Sequence, residues 1–280
     1  MSHRLRLGDV LALALVTVVL VVLIGPIALL TAFSFNDSTI ISLPFEGFTL
    51  EWYRMALSDQ AVRDSLRYSI IVAAIVAPSC VVLGTASAWG ITRFRFRGRG
   101  LWAGLLGAVL VVPWLVIGVS GLVFFVYLDV ELSLKTIILM HIAVTFPLVT
   151  ALVSARLVRF ERSQEEAAID LGASQLQLMT RVVLPQLTPA LAASLIFAFA
   201  WSFNNFEVSF FTGGFEQTFP VWVFSILRQS ENLPMVNAVS TVIALAQVIA
   251  VFAGWRLMKR LTRDRGGDKA LTDLMTGTVR

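Results

Sequence analysis

The sequence predicts an all-α membrane protein with six transmembrane helices and both termini in the cytoplasm. Three observations carry this reading. Of the 280 residues, 57% are hydrophobic and 14% charged, where a soluble domain carries about 25% charged residues. The apolar residues gather into six long runs without charge, and the basic residues collect in alternate loops. At a mean hydropathy of +0.82 the chain is too apolar for a soluble globule, which must still present a large surface to water, and too apolar for disorder. The single Cys80 excludes an intrachain disulfide framework and a Cys-based metal site. With only His3 and His141, a His-rich metal site is excluded as well.

Crossing a hydrocarbon core of about 30 Å at about 1.5 Å per residue takes about 20 apolar residues. The runs 10–36, 68–92, 101–128, 136–155, 186–206 and 235–255 all meet that length without a charge. They are continuous rather than alternating, which is wrong for a β-barrel. The first run follows Arg4 and Arg6 as a signal peptide would. It exceeds an h-region in length and lacks a clean small-x-small site, so an uncleaved first span is expected.

Orientation follows from the loops. The N-terminus, the second and fourth connections and the tail hold 17 Lys/Arg and 8 Asp/Glu; the opposite face holds 5 and 10. The first face, net +9, is cytoplasmic; the outer face is net −5. The strongest signal is Arg93, Arg95, Arg97 and Arg99 between spans two and three, read as a topology anchor near anionic lipid. The pI of about 9.7 is thus membrane topology, and nucleic acid is not an expected partner. The expected division is a cytoplasmic N-terminus 1–9, a first span with its outer loop 10–65, a core 66–258 and a cytoplasmic tail 259–280.

Within the spans lie Pro26, Pro78, Pro113, Pro147 and Pro189, each able to kink a helix in a bundle whose neighbours tolerate it. Gly100 and Gly104 form a GxxxG, a helix-packing pattern. Trp52 and Tyr53 suit an interfacial aromatic belt.

The connection 161–189 between spans four and five is too long and too apolar for a simple linker. Ser163 and Glu166 have capping-box spacing, which predicts a helix over 164–171. Gly172 suits the left-handed position that ends it. Ser174 and Gln177 repeat the spacing, predicting a second helix from 175 to about 184, stopped by Pro185. Leu176, Met179 and Val183 would share one face. Such a corner suits docking to a cytoplasmic partner; an amphipathic helix lying among headgroups fits the spacing equally well.

Glu166-Ala167-Ala168, then Gly172, then Val182-Val183-Leu184-Pro185 resemble the EAA loop of permease subunits of type I ABC importers. Thr49–Tyr53 (residues TLEWY), His141 with Pro147, Phe219-Pro220 and Asn237-Ala238 extend the resemblance, which is greatest to the spermidine/putrescine branch. It implies the type I importer permease fold in a bacterial inner membrane and a part in the translocation pathway for a small organic solute, a polyamine first. It further implies that Glu166, Ala167, Ala168, Gly172, Leu184 and Pro185 couple the chain to a separate ATPase. The implied partners are two ATPase copies, a second six-span permease of a different chain, a periplasmic solute-binding protein and membrane lipid. The chain has no G-x-x-x-x-G-K-[ST] loop. It is therefore expected to bind no cofactor and not to be an enzyme, with ATP and magnesium used by the partner.

Three residues near the outer end of span five, Asn204, Asn205 and Glu207, are candidates for a polar pathway lining; Asn204 and Glu207 would share a helix face. Many relatives carry an acid where Asn204 and Asn205 stand. His141 lies mid-span and is expected to bond a neighbouring helix, with a proton relay as the lesser reading. The alternative function is a stand-alone secondary transporter with ion coupling through His141 or Glu207.

Overall fold

A computed structural model describes residues 7–39, 45–229 and 232–263. The helices are α1 Leu7–Phe33, α2 Glu51–Ser58, α3 Gln60–Arg93, α4 Arg99–Val111, α5 Trp114–Tyr127, α6 Leu134–Val158, α7 Arg162–Asp170, α8 Gln175–Gln177, α9 Leu184–Phe203, α10 Phe206–Thr212, α11 Phe219–Gln229 and α12 Leu233–Arg263. A π-helical segment, Leu178–Val183, joins α8 to α9. Among the described residues the only β pairing is one isolated bridge, Asn36 to Phe48. The expected N-terminus 1–9 and tail 259–280 lie partly outside the described residues.

Among the described residues five helices are long and apolar enough to cross a membrane, and a sixth span exists if α4 and α5 are taken as one broken crossing. The third span, expected over 101–128 with Pro113 able to kink it, is broken there into two helices. It bends by 108°, because Val112 and Pro113 are both extended, with ψ of 131° and 135°. A residue before proline is driven from the helical region, and Pro113 then opens the next helix. Pro26, Pro78, Pro147 and Pro189 instead stay inside their helices.

The chain divides into two compact units, one of Met1–Arg63 with Val223–Gln247, the other of Asp64–Trp222 with Val248–Arg280. In the first, α1 exposes apolar side chains along its length, as a lipid-facing span does. The loop after it is held by side chains the sequence placed at an interface. Trp52 is buried and its indole N–H donates to the Asn36 carbonyl at 2.9 Å. The Tyr53 hydroxyl lies 2.6 Å from Ser34 Oγ, and Phe35 stacks on Phe48 at 5.1 Å. Trp52 and Tyr53 thus lock the outer loop to α2.

In the second unit one apolar cluster joins α3 (Val72, Val76, Ala77), α6 (Val149, Val153, Leu157) and α9 (Leu187, Ala198). Leu178 and Val183 of the π segment belong to the same cluster, so the cytoplasmic corner is anchored in the transmembrane core. The helices α5 and α10 pack backbone to backbone: a Cβ on Gly118 would lie 2.9 Å from the Glu207 carbonyl oxygen. Gly100 and Gly104 have open space where a Cβ would point. Within this chain close helix contacts are made at glycines such as Gly84 and Gly118, not at the GxxxG the sequence suggested.

Candidate functional site

The corner between α6 and α9 is built from short-range rules. Arg162–Asp170 is rich in Gln, Glu and Ala, which favour helix. It starts two residues earlier than the 163/166 spacing suggested: Glu161 is the N-cap and no side chain caps it, so the Ser163–Glu166 capping box is not formed. At the other end, the Gly172 N–H donates to the Ile169 carbonyl at 2.8 Å and the Ala173 N–H to the Ala168 carbonyl at 3.0 Å. With Gly172 at φ +85°, this pairing is the Schellman stop expected there. Ser174 then caps α8: its hydroxyl accepts the Gln177 N–H, and Gln177 Oε1 accepts the Ser174 N–H. The second capping box is thus formed.

Pro185 does not stop the second helix. The chain widens into the π segment, where the Leu184 N–H reaches back five residues to the Met179 carbonyl, and continues through Pro185 at the first turn of α9. Proline is tolerated there because its missing N–H falls in the register shift. The π winding also changes the buried face. Leu178, Val183 and Leu187, spaced by five and four, point inward, while Leu176 is 73% exposed. The expected Leu176–Met179–Val183 face is therefore only partly formed.

This geometry sorts the EAA residues. Glu166 and Ala167 are exposed, Ala168 packs against the core cluster, and Leu184 and Pro185 are half-buried at the start of α9. Ile169, Leu171 and Leu176 add exposed apolar side chains around the corner. The neighbouring Glu165 is buried and forms an ion pair with Arg93, N to O 2.7 Å. The sequence reading missed this pair: it treated Arg93 as one of four topology charges, and nothing local in a sequence joins residues 72 positions apart. Arg95, Arg97 and Arg99 are exposed as expected.

The second candidate region lies where α9 ends and α10 begins. Asn204 and Asn205 interrupt the helix, so Asn204 and Glu207 do not share one helix face. Asn204 Nδ2 donates to the Ala200 carbonyl at 2.8 Å. Asn205 is buried and caps α10, its Oδ1 accepting the Val208 N–H at 3.1 Å. Glu207 is half-buried in the first turn of α10. His141 of α6 holds this break closed: Nδ1 lies 2.9 Å from Ser202 Oγ on α9 and Nε2 lies 3.1 Å from Ser209 Oγ on α10. The histidine bonds neighbouring helices, as the sequence suggested. Among the described residues no group of three or more His, Cys, Asp or Glu could hold a metal ion.

A helical multi-pass membrane protein with a structured corner seated in its core, and a polar break in one span, has the architecture of a transporter subunit. The family model for binding-protein-dependent transport system inner membrane components matches residues 80–264. The chain belongs to that family and is a permease subunit of an ABC importer. It is 30% identical to the spermidine/putrescine transport system permease protein PotC of Shigella flexneri over 94% of this chain and 99% of that one. It is 35% identical to the putrescine transport system permease protein PotI of Escherichia coli (strain K12), over 87% and 89%. A bacterial alginate ABC transporter, solved with an alginate-bound periplasmic protein, shares the fold at TM-score 0.71 and 14% identity, over 90% of this chain and 94% of that one. A subunit of this class is not itself an enzyme; hydrolysis of ATP lies in a separate ATPase. The stand-alone secondary transporter is not favoured by this membership.

Proposed function

We propose that this chain forms half of the translocation pathway of a polyamine importer in a bacterial inner membrane. A different six-span permease supplies the other half, two ATPase copies dock below, and a periplasmic binding protein delivers the solute. The chain binds no cofactor; ATP and magnesium are used by the ATPase. The observation that carries the coupling half of this reading is the outward presentation of Glu166 and Ala167 beside an inward-held Glu165. Glu166 offers a charge to a basic ATPase group, Ala167 allows close approach, and Gly172 turns the chain back toward the core. Ala168, Leu184 and Pro185 seat the corner rather than touch the partner.

The polyamine assignment rests on the named relatives, on an outer face of net charge −5 that draws cations, and on Glu207. Asn204, Asn205 and Glu207 line the outer part of the pathway in this reading, with Asn205 also serving as the cap of α10. Nearby aromatic rings suit a cation: Trp201 lies 5.2 Å from Trp114 and 5.5 Å from Phe197, centroid to centroid, and ring faces attract ammonium groups. The test is uptake of labelled putrescine and spermidine by the complete complex, wild type beside Glu207→Gln. Polyamine uptake that weakens in Glu207→Gln supports both assignments. Uptake of an anion and of no polyamine overturns the solute class.

A further inference from the structure

Arg93 is the last residue of α3, and its surroundings differ from those of the arginines that follow it. Its side chain and that of Glu165 are 9% and 10% exposed. Nε donates to both Glu165 oxygens at 2.8 and 3.1 Å. Nη2 reaches Glu165 Oε1 at 2.7 Å and the Leu157 carbonyl in the last turn of α6 at 3.0 Å. The guanidinium also sits 5.6 Å from the Trp89 ring centroid. One planar cation therefore ties α3, α6 and α7 together. A second tie runs beside it, from Arg162 Nη2 on α7 to the Thr92 carbonyl on α3 at 3.1 Å.

A buried ion pair contributes little net stability against its desolvation cost. What it specifies is geometry: the fork of an arginine fits a carboxylate in few orientations. Consecutive residues on a helix point about 100° apart, so fixing Glu165 inward aims Glu166 outward. We propose that Arg93 and Glu165 are positioning residues that clamp the coupling helix α7 to the end of α3, so that a displacement of α7 by the ATPase moves α3 with it. Residues on either side of the corner connect it to α6 and α9 through the chain; α3 has no such connection and meets α7 through the clamp and the Arg162–Thr92 bond, beside the apolar cluster it shares with the corner. At its far end α3 holds Ser69, whose buried Oγ accepts the Phe219 N–H at 2.8 Å where α11 begins. The clamp thus gives α3 a role as a rod from the ATPase side to the outer side.

This inference rests on α7 being the ATPase-coupling helix, and its test separates the two. The complete complex is reconstituted in proteoliposomes with Glu165→Gln, Arg93→Lys, the exchanged pair Arg93→Glu with Glu165→Arg, and Glu166→Lys. Both clamp singles are expected to assemble with the ATPase and hydrolyse ATP, while solute transported per ATP falls by about 2- to 30-fold, the usual range for a residue that modulates coupling. The exchanged pair recovers part of that loss, which a merely structural role would not produce. Wild-type ratios in both singles overturn the clamp. If Glu166→Lys is also normal, the coupling reading itself has failed; if Glu166→Lys alone is defective, only the clamp has. Should the singles not insert, a short bis-maleimide bridge between Thr92→Cys and Arg162→Cys in a Cys80→Ser background replaces them. Transport that matches the unbridged protein is expected, since the two helices move together. Arrest by the bridge overturns the proposal.

Discussion

Replacing Gly172 isolates the corner's backbone from every other effect. The residue sits at φ +85°, and a Cβ there would meet nothing within 4 Å. Within this chain, substitution therefore adds no clash and removes no contact. What remains is the cost of a left-handed conformation, about 1–2 kcal/mol for an ordinary L-residue. That corresponds to about a 5- to 30-fold fall in the population of the closed corner against looser conformations. Valine, branched at Cβ, stands above alanine in cost, and asparagine below it, because its side chain supports this conformation locally. The expected order of coupled transport is Gly, then Asn, then Ala, then Val, with membrane insertion unchanged in all four. The assay is solute uptake per ATP hydrolysed by the reconstituted complex, normalised to inserted protein. Equal coupling in Gly172→Ala and Gly172→Val would refute the argument that the Schellman turn sets the coupling helix.

Three further outcomes follow from the contacts described. Glu166→Lys is expected to insert normally but to lose solute-stimulated ATPase activity, because reversal turns an attraction to a basic partner group into repulsion; phosphate release by the reconstituted complex, with and without solute, measures it. His141→Phe removes bonds to Ser202 and Ser209 and leaves buried hydroxyls short of a partner, at a cost of about 1–3 kcal/mol, read as a lower melting temperature in detergent. Gly118→Ala places a Cβ 2.9 Å from the Glu207 carbonyl and 3.0 Å from Phe211 Cδ2, so α10 must move off α5; overpacking of this kind costs about 1–3 kcal/mol, and the same melting assay detects it.

Features that depend on local rules were legible in the sequence. The apolar runs locate the spans because hydrocarbon thickness sets their length. Gly172, Ser174 and Gln177 announce the corner because caps and left-handed stops are decided within a few residues. Hydropathy is blind to direction, so it could not show that the third span breaks at Val112–Pro113 while α3 continues through Pro78 as one helix. The break at Asn204–Asn205 was read as lining on a continuous helix; Asn205 is an N-cap, and asparagine is a good one, so the signal was present. Pro185 misled because a proline at the first turn of a helix starts it as readily as it ends the one before. The Arg93–Glu165 pair had no local signal at all. Its partners meet only because α3, α6 and α7 converge on the cytoplasmic side, and a run of four arginines concealed that one of them is buried.

The central claim is that this chain moves solute only when a separate ATPase works against α7. The most direct measurement is uptake of labelled putrescine and spermidine into proteoliposomes holding the complete complex, with the solute-binding protein outside and ATP with magnesium sealed inside. Matched vesicles carry either no ATP and an imposed proton or sodium gradient, or this chain alone under the same gradient. Uptake that requires internal ATP and the ATPase, and is absent under either gradient, is the result expected. Uptake by this chain alone, driven by a gradient, would contradict the account.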